Sequence, residues 1–407
     1  MRFSTCPGRL SAGAAAVMCD TLCVVGAGRT LFAKNSDRPP NEAQVVESHT
    51  RRRGGATLRT TYLGLDDPGA HALIGSRPTW MWGFEQGVND HRVAIGNEKI
   101  FTVDDPHTAP PALIGADLVR LGLERGRTAE DAVDAMVGLL EQHGQGGSGE
   151  GGDVPYWSSF LVADPRGGWV VETSGRTWAA RPVDHGAAIS NRVTLGTDWQ
   201  RASPDVAPGT DFDTWRDREV PTGRADGRLS ATRACIATGA TALAPADLVA
   251  TLRHHGTRPW GAPGSLQRAV EPLPPRDAAE WGNVSVCWHF GPATTSSIVA
   301  ELPADPDTPV RAWVALGSPC ASVYVPVFPP DVPATLAQMS TWQRFARLRD
   351  RVEADADALA TVHAELASVE SALWAEADEV AAEPTRRAAF PEAAWARVDA
   401  ALTRLGV

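Results

Sequence analysis

The residues best suited to chemistry lie near the beginning of the chain, at Cys19 and in the run KNSDR at residues 34–38. If Cys19 begins the mature chain, it supplies both a thiol nucleophile and a base, because an α-amino group titrates near ~8 and is partly neutral at working pH. Lys34 and Arg38 follow one predicted hairpin later, and nearby cations raise the ionised fraction of a thiol. Asp37 could hold the amino group. These residue types at this spacing would suit nucleophilic catalysis by an N-terminal cysteine.

The same residues also have an ordinary structural interpretation. A buried cysteine before a strand is common, and Asn-Ser-Asp is a frequent turn sequence. Spacing alone leaves both interpretations open.

The segment before Cys19 bears on this choice. Residues 1–18 carry Arg2 and Arg9 and then a short alanine-rich run, which faintly resembles a signal peptide. Two other interpretations fit better: Met18 is the true initiator, or the segment is a propeptide that the protein removes itself. Both leave Cys19 at the N-terminus, so we expect the mature chain to begin there.

Composition limits the class of protein. The 407 residues are 43% hydrophobic and 21% charged, which provides for a sizeable core and excludes global disorder. The net charge of −11 argues against a nucleic-acid partner or a polybasic membrane surface. No apolar run approaches the ~18–20 residues that span a bilayer. We expect a cytoplasmic protein, and its homo-oligomeric state is left open.

Metal and cofactor signals are weak. The six cysteines form no CxxC pair, so neither a disulfide framework nor a structural zinc site is expected. His254 and His255 have no obvious third ligand and are interpreted as surface residues. The glycine-rich run at residues 24–31 has Leu31 at the third glycine position of a dinucleotide motif, and a strand follows it. No metal or organic cofactor is expected.

Hydrophobic periodicity predicts an α+β framework of antiparallel sheets covered by helices. A hairpin should begin after Cys19 and end in a polar loop at residues 34–39, and residues 145–152 should form a glycine-rich loop. The last part should be helical from residue 334, with breaks near Pro384 and Pro391. Further strands are predicted within 83–101 and at 159–163, 168–172, 178–181, 283–289, 297–302 and 312–316, and helices at 110–123, 128–140, 230–240 and 244–255.

An ordered set of motifs resembles the secernin and C69 dipeptidase family, which belongs to the N-terminal nucleophile hydrolases. MCDT at residues 18–21 and KNSDR resemble the start of that family. WGFEQGVNDH and VAIGNE resemble its W-G-x-E-x-G-x-N-E-H block, with Asp90 in place of a glutamate and Arg92 in place of a glycine. The resemblance extends to about residue 328. Its later matches lie at residues 159–164, 169–173, 178–180, 189–191, 285–289 and 317–320.

The resemblance implies a four-layer αββα sandwich over residues 19–330, followed by a helical extension over 331–407. It also implies a role for each matching residue. Cys19 would be the nucleophile, with Asp37 binding its amino group and Lys34 beside it. Lys34 is one of only two lysines among 38 basic residues, which mildly supports a specific role for a lysine at this position. The other roles are backbone oxyanion donors at Asn97 and Glu98, an oxyanion-binding side chain at Asn191, and an active-site arginine at Arg233.

The function so implied is hydrolysis of an amide through a Cys19 thioester. A dipeptidase or small-peptide hydrolase fits best, with a small peptide or an N-acyl amino acid as substrate. The same thioester would serve an acyl- or aminoacyl-transferase. The third alternative is a non-catalytic interaction protein that docks through its C-terminal helices.

Overall fold

Two antiparallel sheets form the centre of the computed structural model, which describes residues 18–55, 57–255, 286–289, 292–355 and 357–407. The strands are β1 Cys19–Val25, β2 Arg29–Arg38, β3 Gln44–His49, β4 Arg52–Arg53, β5 Thr57–Arg59, β6 Gly64–Asp66, β7 Gly69–Ala70, β8 Leu73–Pro78, β9 Gln86–Asn89, β10 Ala94–Ile100, β11 Trp157–Asp164, β12 Gly167–Ser174, β13 Thr177–Val183, β14 Gly186–Ser190, β15 Arg201–Ala202, β16 Ala293–Pro303, β17 Arg311–Leu316 and β18 Val325–Val327.

The larger strands divide between the two sheets. Sheet A has the order β14-β1-β2-β16-β17-β18, and sheet B has the order β15-β13-β12-β11-β10-β9-β8-β3. The helices are α1 Gly115–Arg125, α2 Ala129–His143, α3 Gly223–Ala237, α4 Pro245–Leu252, α5 Met339–Ala354, α6 Ala358–Val380 and α7 Pro384–Arg404. None of the described helices is long and apolar enough to cross a membrane.

The alternation of side chains along the strands assigns the layers. Cys23 of β1 points between the sheets and joins a core cluster with Leu161 of β11. Its neighbour Leu22 points outward and packs with Leu248 of α4. On sheet B, Val162 points outward to the cluster formed with α1 and α2. The order helix, sheet, sheet, helix confirms the predicted αββα sandwich.

The C-terminal helices share a core with the sheets. Trp342 and Phe345 of α5 and Val398 of α7 belong to the same apolar cluster as Val314 of β17. The Trp342 indole donates a hydrogen bond to the carbonyl of Thr295, 3.0 Å away. Helices α5, α6 and α7 therefore pack as part of the sandwich and build no separate core.

Several predicted elements are confirmed. The hairpin is β1 and β2, and the meander is β11, β12 and β13. Helix α2 begins after Thr128, whose hydroxyl accepts from the Asp131 amide at 3.1 Å. Helix α1 begins only at Gly115, because the Asp117 carboxylate accepts from the Ile114 amide at 3.3 Å and stops the helix there.

Other predicted elements were wrong. The polar loop at residues 34–39 is largely strand, because β2 lies between β1 and β16 and both of its edges are hydrogen-bonded. Residues 286–289 form no strand, and the rest of that prediction, 283–285, lies outside the described residues. The expected break at Pro391 is also wrong, since α7 continues through it. The break at Pro384 is confirmed as the first residue of α7.

Candidate active site

Cys19 opens β1 at the buried end of sheet A. It lies two positions before Thr21 and four before Cys23, so its thiol shares the face between the sheets. The thiol sulphur accepts from the Asp37 amide at 3.4 Å, and the Cys19 nitrogen donates to Oδ1 of Asn191 at 2.5 Å. Met18 precedes Cys19 and is buried, so this nitrogen is a peptide nitrogen here.

Lys34 lies beside Cys19 on the same face of the sheet. It stands opposite Thr21 in the β1–β2 register, and its ammonium is 3.5 Å from Oε1 of Glu98 on β10. Both side chains are fully buried. Gly96 makes room for the Lys34 side chain, because a Cβ at this position would lie 2.4 Å from Cδ of Lys34. The sandwich thus brings a cation and a carboxylate from opposite sheets to the thiol.

Burial and charge set the protonation of this group. Burial raises the pKa of the Cys19 thiol to about 12, while the Lys34 ammonium opposes that rise. Burial also raises the pKa of Glu98 to about 7, against the opposing effect of Lys34. Burial alone would lower the pKa of Lys34, but the acidic Cys19 and Glu98 raise it above its usual value. With Met18 attached, the thiol is neutral and Lys34 is charged.

A second charged group lies on the outer face of sheet A, under α3. Arg228 is fully buried and donates to Oδ2 of Asp37 at 2.6 Å and to Asp20. Thr294 of β16 donates to the other Asp37 oxygen at 2.5 Å. Burial raises the pKa of Asp20 to about 6 and also raises that of Asp37, although Arg228 opposes both shifts.

The structure brings four of the predicted site residues together, since Lys34, Glu98 and Asn191 lie around the thiol and the nitrogen of Cys19. Asn191 meets Cys19 through its amide oxygen, whereas its amide nitrogen, which the predicted oxyanion role would use, donates to the Lys99 carbonyl. Asp37 reaches the thiol through its backbone, while its carboxylate is bound by Arg228 and Thr294 and makes no described hydrogen bond to the Cys19 nitrogen.

Asn97 turns away from this cluster. Its side chain faces α1, where a Cβ on Gly115 would lie 2.8 Å from Nδ2, and its backbone N–H donates to the Glu85 carbonyl at 3.3 Å. The Asn97 N–H is therefore already bonded within the protein. An oxyanion donor on the segment of Asn97 and Glu98 remains a prediction.

Arg233 does not join the cluster. It is exposed on α3, whereas Arg228 on the same helix is buried against Asp20 and Asp37. Five residues turn a helix by about 500°, which leaves two such side chains roughly 140° apart. Only one of the two arginines can therefore face the sheet. The predicted active-site arginine, Arg233, therefore lies outside the cluster, and no local spacing in the sequence marks Arg228.

Comparisons with known proteins find similar folds at low identity. Two variants of the conjugated bile acid hydrolase from Clostridium perfringens are each 10% identical, cover 72% of this chain and 88% of their own, and give a TM-score of 0.41. The Caenorhabditis elegans ortholog of N-acylethanolamine-hydrolyzing acid amidase is 13% identical, covers 43% of this chain and 71% of its own, and gives 0.30. No family model matches the sequence. Residue roles therefore rest on the geometry of this chain.

The other lysine of the chain, Lys99, meets the site through its backbone carbonyl. The carbonyl of Lys99 accepts from Nδ2 of Asn191 at 2.9 Å, which fixes the amide so that its oxygen meets the Cys19 nitrogen. The Lys99 ammonium is 3.0 Å from Glu150 in the glycine-rich loop. Lys99 therefore connects that loop to the residue that orients Cys19.

A surface cavity of about 290 Å³ lies elsewhere. It is lined by Gly28, Arg29, Glu301 and Arg311, among others. Gly28 and Arg29 follow the far end of β1 from Cys19, roughly 20 Å along a seven-residue strand. This cavity therefore does not serve the thiol.

A separate group of candidate metal ligands is buried elsewhere in the fold. His255, Cys287, His289 and Cys320 place one ligand atom each within 4.8 Å of one another. The interpretation of His255 as a surface residue was wrong, since only 2% of it is exposed. Wide sequence separation hid this group, because its two cysteines are brought together by the fold.

Proposed function

We propose that the protein is an amide hydrolase whose nucleophile is Cys19, set free as the first residue of a processed chain. The observation that carries this proposal is the placement of Cys19. Its nitrogen meets the Asn191 amide oxygen, and its thiol lies beside the Asp37 amide and the buried Lys34. A structural cysteine at a strand end would also need a partner for its backbone N–H, but it would not need a buried ammonium beside its thiol.

The mechanism uses the residue's own amine. Hydrolysis of the peptide bond to Met18 converts the Cys19 nitrogen into an α-amine, which donates a hydrogen bond to Oδ1 of Asn191. The amine takes the thiol proton, and the thiolate attacks the substrate carbonyl carbon. The ammonium then gives that proton to the departing nitrogen as the C–N bond breaks. Water hydrolyses the resulting thioester and releases the acid.

Lys34 has an electrostatic role in this proposal. Its buried charge opposes the rise of the thiol pKa that burial causes. A fixed cation next to a developing thiolate needs no reorganisation during the reaction, which is what gives preorganised charges their catalytic value. Removing Met18 also takes a buried side chain away from Cys19. This reduces the desolvation of the thiol, which is the main cause of its raised pKa.

The substrate class we propose is a dipeptide or small peptide with a free amino group. Oε2 of Glu98 is buried and accepts no hydrogen bond from any described residue, while Oε1 is bound by Thr21 and lies near Lys34. A substrate ammonium would complete the bonding of Oε2. An N-acylated amino acid offers only a neutral amide N–H, which bonds a buried carboxylate less strongly than an ammonium does, so Glu98 favours the dipeptide over the N-acyl alternative.

Two measurements test the proposal. Intact-mass analysis of the purified protein should give a chain that begins at Cys19; a chain that keeps Met18 would have no free amine and would contradict the mechanism. A panel of dipeptides and their N-acetylated counterparts should then show hydrolysis of the free dipeptides. Cleavage of the acetylated series alone would retain the nucleophile and reject the role of Glu98. Transfer to an added amine in place of water would identify the transferase.

Replacing Lys34 by methionine should move the pH dependence of the reaction. Without the ammonium, the thiol pKa rises, so the acidic limb of kcat/KM should shift upward by roughly one pH unit. The pH dependence of Cys19 alkylation should shift in the same direction. Lys99→Met is the matched control, because Lys99 pairs with Glu150 and should leave the limb in place. An unshifted Lys34→Met profile would remove Lys34 from the mechanism.

A further inference from the structure

The chain contains a second constellation of reactive side chains outside the candidate active site. It is formed by His255 just after α4, by Cys287 and His289, and by Cys320 in the short helical turn Pro319–Ala321. These residues come from parts of the sequence up to 65 positions apart, so only the fold assembles them. All of the described cysteines are free thiols.

Two distances within this group are close to those of tetrahedral coordination, and all of its ligand atoms lie within 4.8 Å of one another. Nε2 of His289 lies 3.2 Å from the Cys320 sulphur and 3.5 Å from the Cys287 sulphur. Ligand atoms around a tetrahedral zinc ion lie roughly 3.3–3.8 Å apart, given bonds of about 2.3 Å to sulphur and about 2.0–2.1 Å to nitrogen. A small contraction or expansion of the group would therefore accommodate one ion.

The surroundings of the group resemble those of metal ligands. Nδ1 of His289 is 2.7 Å from Oε1 of Glu353 on α5, which leaves Nε2 directed at the two sulphurs. A carboxylate on the second ring nitrogen is the usual partner of a metal-bound histidine. The Cys320 backbone is also held, since its carbonyl is 2.7 Å from Nε2 of His363.

The number of ligand atoms distinguishes a metal site from a catalytic one. A cysteine, a histidine and a glutamate in series also suit nucleophilic catalysis, but that chemistry does not use the second cysteine and the second histidine of the group. Cys287 and Cys320 are 0% exposed, and His255 and His289 are 2% and 6% exposed. Four protein ligands in a closed environment are typical of structural zinc, while catalytic zinc keeps an open position.

We propose that His255, Cys287, His289 and Cys320 bind a structural zinc ion. Two thiolates and two imidazoles form a donor set that favours zinc over calcium or magnesium, which prefer oxygen ligands. The ion would join the end of α4, the segment 286–289 and the turn at Cys320. This inference is independent of the hydrolase activity, since metal content is measured without a substrate.

The proposed ion would also stabilise one wall of the candidate active site. The Trp288 amide donates to the Thr294 hydroxyl at 2.9 Å, and that hydroxyl donates to Asp37. The Val286 carbonyl accepts from Arg228 at 3.3 Å. The residues that flank the two ligands Cys287 and His289 are thus bonded to the charged group beneath Cys19.

Metal analysis of the full-length protein tests this inference. Protein expressed with added zinc and dialysed into metal-free buffer should contain about one zinc ion per chain, measured by inductively coupled plasma mass spectrometry. Cys320→Ser should retain less than a tenth of that amount. Cys235→Ser is the matched control, because Cys235 lies on α3 outside the group and should keep the full zinc content.

Two measurements keep the inference testable if Cys320→Ser misfolds. Wild-type protein stripped of metal and loaded with cobalt(II) should show the visible bands of tetrahedral cobalt and a thiolate charge-transfer band, both lost on adding zinc. Glu353→Gln, which removes no ligand, should weaken zinc binding by about 10–100-fold. Wild-type protein that takes up neither metal, or a peptide pair joined by a Cys287–Cys320 disulfide, would overturn the site.

Discussion

Replacing Cys19 by alanine should reduce kcat/KM on the best dipeptide substrate by about 10⁴-fold or more. The substitution removes the only atom that forms the thioester and leaves the α-amine, Asn191 and Lys34 in place. Substrate affinity should change little, so the loss should appear in kcat. Steady-state kinetics on the processed variant, with its N-terminus checked by mass, would measure it.

The cysteine of α3 provides the control for this experiment. Cys235→Ala removes a thiol from a partly exposed position on the outer face of sheet A, opposite the face that carries the Cys19 thiol, and should leave the rate unchanged. An electrophilic dipeptide probe should label wild-type protein and Cys235→Ala but not Cys19→Ala. Equal labelling of Cys19→Ala, or full activity in it, would show that another residue is the nucleophile. Labelling without turnover would favour the interaction protein.

Replacing Arg228 by methionine should lower the free energy of unfolding by about 3–5 kcal/mol. The variant keeps the volume of the side chain but leaves the buried carboxylates of Asp20 and Asp37 without their shared cation. Urea unfolding followed by circular dichroism would give the difference. Arg233→Met is the matched control: it is exposed on the same helix and should change stability by less than about 0.5 kcal/mol.

The loss of stability should also depend on pH with a definite sign. Burial already raises the pKa of Asp20 to about 6 in the folded protein, and removal of Arg228 takes away the charge that opposes this rise. A carboxyl group whose folded pKa is raised favours the folded state below its unfolded pKa, and that contribution is lost as pH rises through the folded pKa. Arg228→Met should therefore be less destabilising at pH 5 than at pH 8. If the loss of unfolding free energy in Arg228→Met were the same at both pH values, this account of Arg228 and Asp20 would be contradicted.

The elements that local patterns control were predictable from sequence. Thr128 caps α2 because its hydroxyl reaches the amide three residues later, and short runs of mostly apolar residues separated by turns mark the meander. The strand character of residues 34–38 was not predictable in this way. Their polar side chains indicate a loop until β16, some 260 residues away, supplies the second edge of β2 and the partners for those side chains.

The residues of the candidate site also fall into those that local motifs predicted and those that only the fold brings together. Cys19, Lys34, Glu98 and Asn191 were found because each lies in a motif that resembles a known family. Arg228 lies in no such motif, and its importance follows from two carboxylates more than 190 residues away that only the folded chain brings to it. The pairing of Cys287 with Cys320 was missed for the same reason, since a search for closely spaced cysteines cannot detect it.

The central position of β2 has a consequence for motion. Its amides are hydrogen-bonded on both edges and enclosed between two layers, so they should exchange with solvent deuterium only when the whole domain unfolds. Lys34 and Asp37 would then be held in one arrangement throughout turnover. Accommodation of different substrates must come from the other boundary of the site, where Glu150 of the glycine-rich loop meets Lys99. Substrate-dependent changes in exchange should be confined to that loop.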